Sequence, residues 1–203
     1  MEFDHIAIAG ETLAEATQHV ETALGVSLQS GGEHAVYGTH NSLLGVAQGL
    51  YLEAIAINPQ AQPQRQPRWF DLDRFKGPAR LTNWICRCDD LDATLAALPA
   101  GFGVPVSLQR GDLKWRMAVP SDGILPFDGW APALIEWEGT AHPAALLPKS
   151  DATLTGLTVS HPQVAELEAL LAPHLNDPRI RFEQGTAGLR ATFEVAGTER
   201  MLA

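Results

Sequence analysis

Apolar and polar positions alternate with a period of two over several short stretches of this chain and change to helical spacing over others. The clearest stretch runs from Gly38 to Pro59, GTHNSLLGVAQGLYLEAIAINP. Two apolar segments, SLLGVA and LYLEAIAI, meet at Gln48-Gly49, a turn signal, and predict a β-hairpin. In its second strand Leu52, Ala54 and Ala56 share one face, and Tyr51, Glu53, Ile55 and Ile57 share the other. Glu53 is therefore a mid-strand carboxylate, costly to bury unless it is paired or binds a metal. His40 and Asn41 stand where the hairpin begins. Upstream, Phe3 to Gly10 (FDHIAIAG) predicts a strand with His5 on the face opposite Ile6 and Ile8. Thr12 can cap a helix running to about Leu24, with Glu15 as its capping-box partner and Gly25 as its stop. A strand over Glu33 to Tyr37 completes the order β-α-β-β-β.

The pattern then breaks and restarts. Residues 60–79 open Pro/Gln-rich and predict a linker, with RWFDLDRF packing aromatics across a seam. From Arg80, RLTNWICRC predicts a strand, Asp90 caps a short helix, and Val104 to Gln109 with Leu113 to Val119 form a hairpin. A Gly/Pro-rich loop, Pro120 to Pro132, carries Phe127 and Trp130 and precedes the strand ALIEWEG. The order is again β-α-β-β-β. A shorter β-α-β-β copy follows from Leu154. The expected organisation is a first module over 1–59, a linker over 60–79, a second module over 80–145, and an extension over 150–203 packed on the same body. The fold class is α+β.

Composition narrows the function classes. The chain has 203 residues, 45% hydrophobic and 19% charged, which suits a globular protein with a core. Its net charge of −10 and the lack of a basic stripe argue against nucleic acid as a partner. No basic-then-apolar leader and no run long enough to span a bilayer is visible, so no membrane partner and a cytoplasmic location are expected. Cys86 and Cys88 read as buried, reduced thiols.

Aligning the two modules on their helix starts puts His5 opposite Asn83. The endings YLEAI and LIEWE put Glu53 opposite Glu136. Ile135 and Trp137 are assigned, with Leu52 and Ala54, to the helix-covered face, which leaves both glutamates on the other. A repeated βαβββ unit with His on strand one and Glu on strand four resembles the vicinal oxygen chelate superfamily. GTHNSLLGVAQGLYLEAIAINP and ALIEWEGTAHP look more narrowly like its glyoxalase-like domain branch. The resemblance implies a cupped sheet around a divalent metal, held here by His5, Glu53 and Glu136, with Asn83 where the superfamily usually has His. It implies a glyoxalase-like enzyme of the lyase, isomerase or dioxygenase type, whose metal stabilises an enolate or oxyanion on a small-molecule ligand. His40 is the expected proton shuttle, with Glu136 beside it in a catalytic role. Asn83, Arg87 and Arg116 are expected to line the substrate, and Phe127 and Trp130 to close over it. Trp115 reads as core packing. A metal-free binding or sequestering protein on the same fold is the alternative, and a homodimer fits either reading.

Overall fold

The first helix begins as its residues predict. The Thr12 side chain accepts from the Glu15 amide, the Glu15 carboxylate accepts from the Thr12 amide, and Gly25 ends the helix with φ of 71°. Such a capping box contributes about 1 kcal/mol. The computed structural model describes residues 1–203. In chain order the elements are β1 (Glu2–Ala9), α1 (Leu13–Leu24), β2 (Gln29–His34), β3 (Thr39–Ala47), β4 (Leu50–Ile57), a 3-10 turn (Trp69–Asp71), β5 (Arg80–Arg87), α2 (Leu91–Ala97), β6 (Val104–Arg110), β7 (Leu113–Val119), β8 (Ala133–Glu138), α3 (Pro143–Leu146), β9 (Ala152–His161), α4 (Val164–Leu171), β10 (Ile180–Gln184), β11 (Gly188–Val195) and β12 (Thr198–Leu202). The strand expected over Glu33 to Tyr37 lies earlier, because a turn occupies 35–38 and bonds Gly38 back to His34.

The first eight strands form one curled sheet in the order β2-β3-β4-β1-β5-β8-β7-β6. Each βαβββ module supplies one half. In each, the first strand pairs parallel with the last, β1 with β4 and β5 with β8. The modules join along the antiparallel β1–β5 seam. This is the expected α+β architecture of paired modules in a cupped sheet.

Side-chain alternation gives the sheet two apolar faces. The convex face buries Ile6, Ile8, Leu44, Leu52, Ala54, Trp84, Cys86 and Leu134 in a core cluster of 31 residues that also takes in Ala16, Val20 and Leu24 of α1. The second sheet, in the order β10-β9-β11-β12, contributes Leu154, Leu157, Val159, Ala191 and Phe193 to that cluster. It differs in pairing from the modules, because β10 lies directly beside β9 in parallel. The concave face buries a separate cluster of 17 residues, among them Ala7, Ala9, Ile55, Ile85, Ala133 and Ile135. No helix is long and apolar enough to cross a membrane.

Candidate active site in the cup

Register builds the site. In the β1–β4 ladder, His5 stands beside Tyr51 and Ala7 beside Glu53, so His5, Tyr51 and Glu53 all point into the cup. In the β3–β4 ladder Leu43 faces Glu53, and Asn41, two residues earlier, shares that face. Asn41 Nδ2 donates to Glu53 Oε1 at 2.5 Å, while Asn41 Oδ1 accepts from Gly32 N and from the Arg110 guanidinium, each at 2.9 Å. Residue 31 must be Gly for this hub to form, since a Cβ there would meet Asn41 Oδ1 at 2.0 Å. Arg110 comes from the β6–β7 hairpin of the other module and bridges the mouth of the cup. His34 completes the group: its Nε2 is 3.9 Å from Glu53 Oε1, and its Nδ1 is 3.0 Å from Thr39 Oγ1.

Glu53 thus lies between two imidazoles, with His5 Nε2 3.8 Å from Oε2, and is only 5% exposed. His5 is in turn fixed from behind. A register shift between Phe3 and His5 lets adjacent Asp4 accept from His5 Nδ1 at 2.6 Å. Asp4 is fully buried and also accepts from His142 Nε2 at 2.9 Å and Trp137 Nε1 at 3.1 Å. Burial alone would raise its carboxyl; the hydrogen bonds from His142 and His5, with their charge, outweigh this and hold it far below the usual carboxylate range. An ionised Asp4 can only accept, so the His5 Nδ1–H donates to it and Nε2 is left toward the cavity, with the ring stacked on Tyr51 at 4.2 Å between centroids and the Tyr51 hydroxyl 3.4 Å from Nε2. Burial pushes His34 down to about 4 against the pull of Glu53, so it is neutral near pH 7. Burial first, then the charges of Asp4 and Glu53, raise the Tyr51 hydroxyl well above its ordinary value. The space bounded by His5, His34, Tyr51, Glu53, Arg110 and Trp115 is about 20 Å³, room for about one water.

The structure does not bring the other expected residues here. Glu136 lies on the opposite face of the sheet. Ile135 belongs to the concave cluster and Leu134 to the convex one, so Glu136 points outward, where it accepts from Leu91 N at 2.6 Å and Arg116 at 2.7 Å. The helix starts explain the slip. Thr12 and Asp90 are the N-caps of α1 and α2, an offset of 90 − 12 = 78. Ala7 then corresponds to Ile85, whose ladder partner is Ala133, so Ala133 holds the place of Glu53 in the second module. Residue 136 is three positions on, and an odd shift changes the face. Arg116 follows the same phase and pairs Asp92 and Glu136 outside the cup. His40 pairs with Ala56 and shares the convex phase; its neighbour Asn41 faces the cup instead. Arg87 bonds Glu2 and Gly49 O at the rim of an open groove. Phe127 meets His161 edge-on at a seam to the second sheet, and Trp130, whose carbonyl O accepts from Trp84 Nε1, lines the cavity beside Asn83. Asn83 is in the cup phase beside Ala7, but it lines a separate cavity of about 230 Å³ with Phe70 and Arg80, and its buried Oδ1 has no partner. Asp4, His34 and Arg110 had no sequence motif of their own; alternation put Tyr51 on the face of Glu53, and Asn41 and His142 lie within the two stretches that carry the resemblance, with no role assigned to them.

The paired βαβββ modules and the concave site define the vicinal oxygen chelate architecture. Residues 3–175 match the glyoxalase-like domain family, and the chain belongs to that family, within the vicinal oxygen chelate superfamily. Among solved structures it is similar to a hypothetical protein from Staphylococcus aureus, at 14% identity over 92% of this chain and 87% of that one, with a TM-score of 0.66. It is also similar to methylmalonyl-CoA epimerases from Mycobacterium tuberculosis (20% identity, 68% and 88% covered, TM-score 0.40) and Streptomyces coelicolor (16%, 70% and 97%, 0.44). The first of these likenesses bears on the fold alone. No curated protein matches the sequence.

Superfamily members often bind divalent metals. His5, His34 and Glu53 offer two imidazoles and a carboxylate, a donor set such ions accept. Yet no three His, Cys, Asp or Glu side chains converge to hold an ion. Asn41 already donates to Glu53, and the Arg110 cation sits in the same cavity. As placed, the residues do not fit a metal, and no step below passes through one.

Proposed function

We propose that this protein is a small-molecule enzyme that moves a proton at a carbon next to a carbonyl, an enolate-forming reaction of the isomerase or lyase kind. One observation carries the reading: a buried carboxylate, Glu53, bracketed by two histidine Nε2 atoms, with a cation from the other module beside it. Glu53 is the base. It takes the proton from carbon, the C–H electron pair forms the new C=C bond, and the carbonyl π pair moves onto oxygen. Arg110 and the Tyr51 hydroxyl supply positive charge and a hydrogen-bond donor for that oxygen. His5, oriented by Asp4, holds or returns the proton at Nε2. The reading needs a substrate with an acidic C–H beside a carbonyl. The alternative, a binding protein without catalysis, is favoured by the aromatic walls of the cup, Tyr51, Trp115 and Trp137.

The test is carbon-bound hydrogen exchange in D2O, followed by proton NMR, for a panel of 2-oxo acids that includes pyruvate and phenylpyruvate. The wild type is expected to exchange C3 hydrogens of at least one member above the buffer rate, and Glu53→Gln to lose about two to four orders of magnitude of that rate. Binding without exchange by the wild type would reject catalysis and leave the binding protein.

A further inference from the structure

The cup is full, and what fills it comes from the linker. Trp69, Phe70 and Leu72 are buried in the concave cluster against Ala7, Ala9, Ile55, Ile85 and Ala133. Trp69 stacks on Tyr37 at 4.8 Å between ring centroids and meets His34 edge-on at 5.1 Å. Phe70 stacks on Trp69 at 5.4 Å. Phe70 also lines both the cavity beside Glu53 and the one beside Asn83, so it is the partition between them.

These residues sit there at a cost that ordinary core aromatics do not bear. The Trp69 Nε1 is buried with no hydrogen-bond partner, the kind of orphan donor that native cores rarely keep. Phe70 and Asp71 follow each other in the left-handed region, with φ of 57° and 54°. Two adjacent non-glycine residues there are strained, and such strain collects at binding and switching sites. The segment is bonded within itself by the Arg68–Asp73 and Asp71–Arg74 pairs, and to the rest of the fold by Asp71 N to Gly123 O at 3.0 Å and Arg68 Nε to Tyr37 O at 2.8 Å. Gly123 must be glycine for the bond from Asp71 N, because a Cβ at that position would lie 2.3 Å from Arg68 O. Behind it runs a tether, residues 59–67, largely exposed.

We propose that residues 68–72 are an internal stand-in for the substrate, and that the substrate is a flat, aromatic small molecule bearing a carboxylate. This rests on the acid–base reading of the same site. The shape of the stand-in describes the body of the ligand: two stacked rings on a floor of alanine and isoleucine. The charge comes from Arg110, which lines the same small cavity as Trp69 and Phe70. Arg110 is engaged there with the neutral Asn41 amide, and a ligand carboxylate would give the guanidinium a bidentate partner. The carbonyl beside it would then lie near Glu53 and His5, and the unpartnered Asn83 Oδ1 would meet a donor when the partition leaves. Withdrawal of the segment joins the two cavities and relieves both strained residues and the orphan indole N–H.

Hydrogen–deuterium exchange of the wild-type backbone, read by mass spectrometry, tests this with phenylpyruvate as probe and pyruvate as the control that lacks a ring. Saturating phenylpyruvate is expected to speed amide exchange over residues 68–75 by about fivefold or more while pyruvate leaves it unchanged. Unchanged or slower exchange at saturation overturns the proposal. Gly123→Ala, which keeps both aromatics and loosens their dock, is expected to bind phenylpyruvate about tenfold more tightly, since less of the closed state must be displaced. Equal or weaker binding, or no binding by either protein, overturns it too. Segment withdrawal without carbon exchange would reject the acid–base reading and leave this inference standing. Carbon exchange with residues 68–75 still protected would do the reverse.

Discussion

Asp4→Asn removes the charge that fixes the orientation of His5 and keeps the shape of the side chain. Asp4 is 0% exposed and takes hydrogen bonds from His5, His142 and Trp137, with the Arg87 guanidinium 3.6 Å away. An asparagine has one acceptor oxygen and would turn its NH2 toward at least one of these donors. Charge-assisted bonds contribute about 1.5–3 kcal/mol each, and breaking a buried charged network costs about 3–5 kcal/mol. We expect a loss of about 3 kcal/mol at pH 7, which for a chain of this size lowers the melting temperature by about 6–12 °C. The pH dependence separates charge from packing. A carboxyl held low in the folded state stabilises fully above its unfolded value, 3.8, and loses that contribution as pH falls. By about pH 3 roughly 1.2 kcal/mol of the wild-type advantage should be gone. Urea melts of both proteins at several pH values measure it. A cost under about 1 kcal/mol at pH 7, or a difference that stays constant down to about pH 3, would refute the view that an ionised Asp4 organises His5.

Glu136→Gln should cost about 1–2 kcal/mol through the bonds to Leu91 N and Arg116, and leave phenylpyruvate binding and carbon exchange unaltered; a selective loss of exchange would return Glu136 to the site. His34 is held near 4 in the fold against 6.5 when unfolded, so its contribution is complete above 6.5 and drains away as pH falls toward 4, by at most about 3 kcal/mol. The stability gap between wild type and His34→Gln should therefore narrow between about pH 7 and pH 4.5, and a constant gap in urea melts would show that His34 is not buried as the neutral form.

Much of the fold was legible because its signals are local. The Thr12–Glu15 box, the Asp90 cap, the Gln48-Gly49 turn and the period-two strands each depend on residues within a few positions of one another, and the two βαβββ modules follow from them. That His5 and Glu53 share a face of their strands was readable from alternation alone. Tertiary pairing decided the rest. The face of Glu136 depends on which residue of β8 stands beside Ile85, and a shift by an odd number of residues, invisible in LIEWE, puts it outside. The same one-residue phase chose Asn41 over His40. Asp4, His142 and Trp137 meet across 138 and 133 positions of chain, and Arg110 reaches Asn41 across 69, so no spacing rule could join them. The Pro/Gln-rich start of the linker read as a spacer and RWFDLDRF as aromatics across a seam, yet Trp69 and Phe70 are buried in the concave cluster of the sheet, the apolar surface they reached. Period and capping determine which elements form; what faces what is settled when distant strands pair and the apolar surfaces left over are covered.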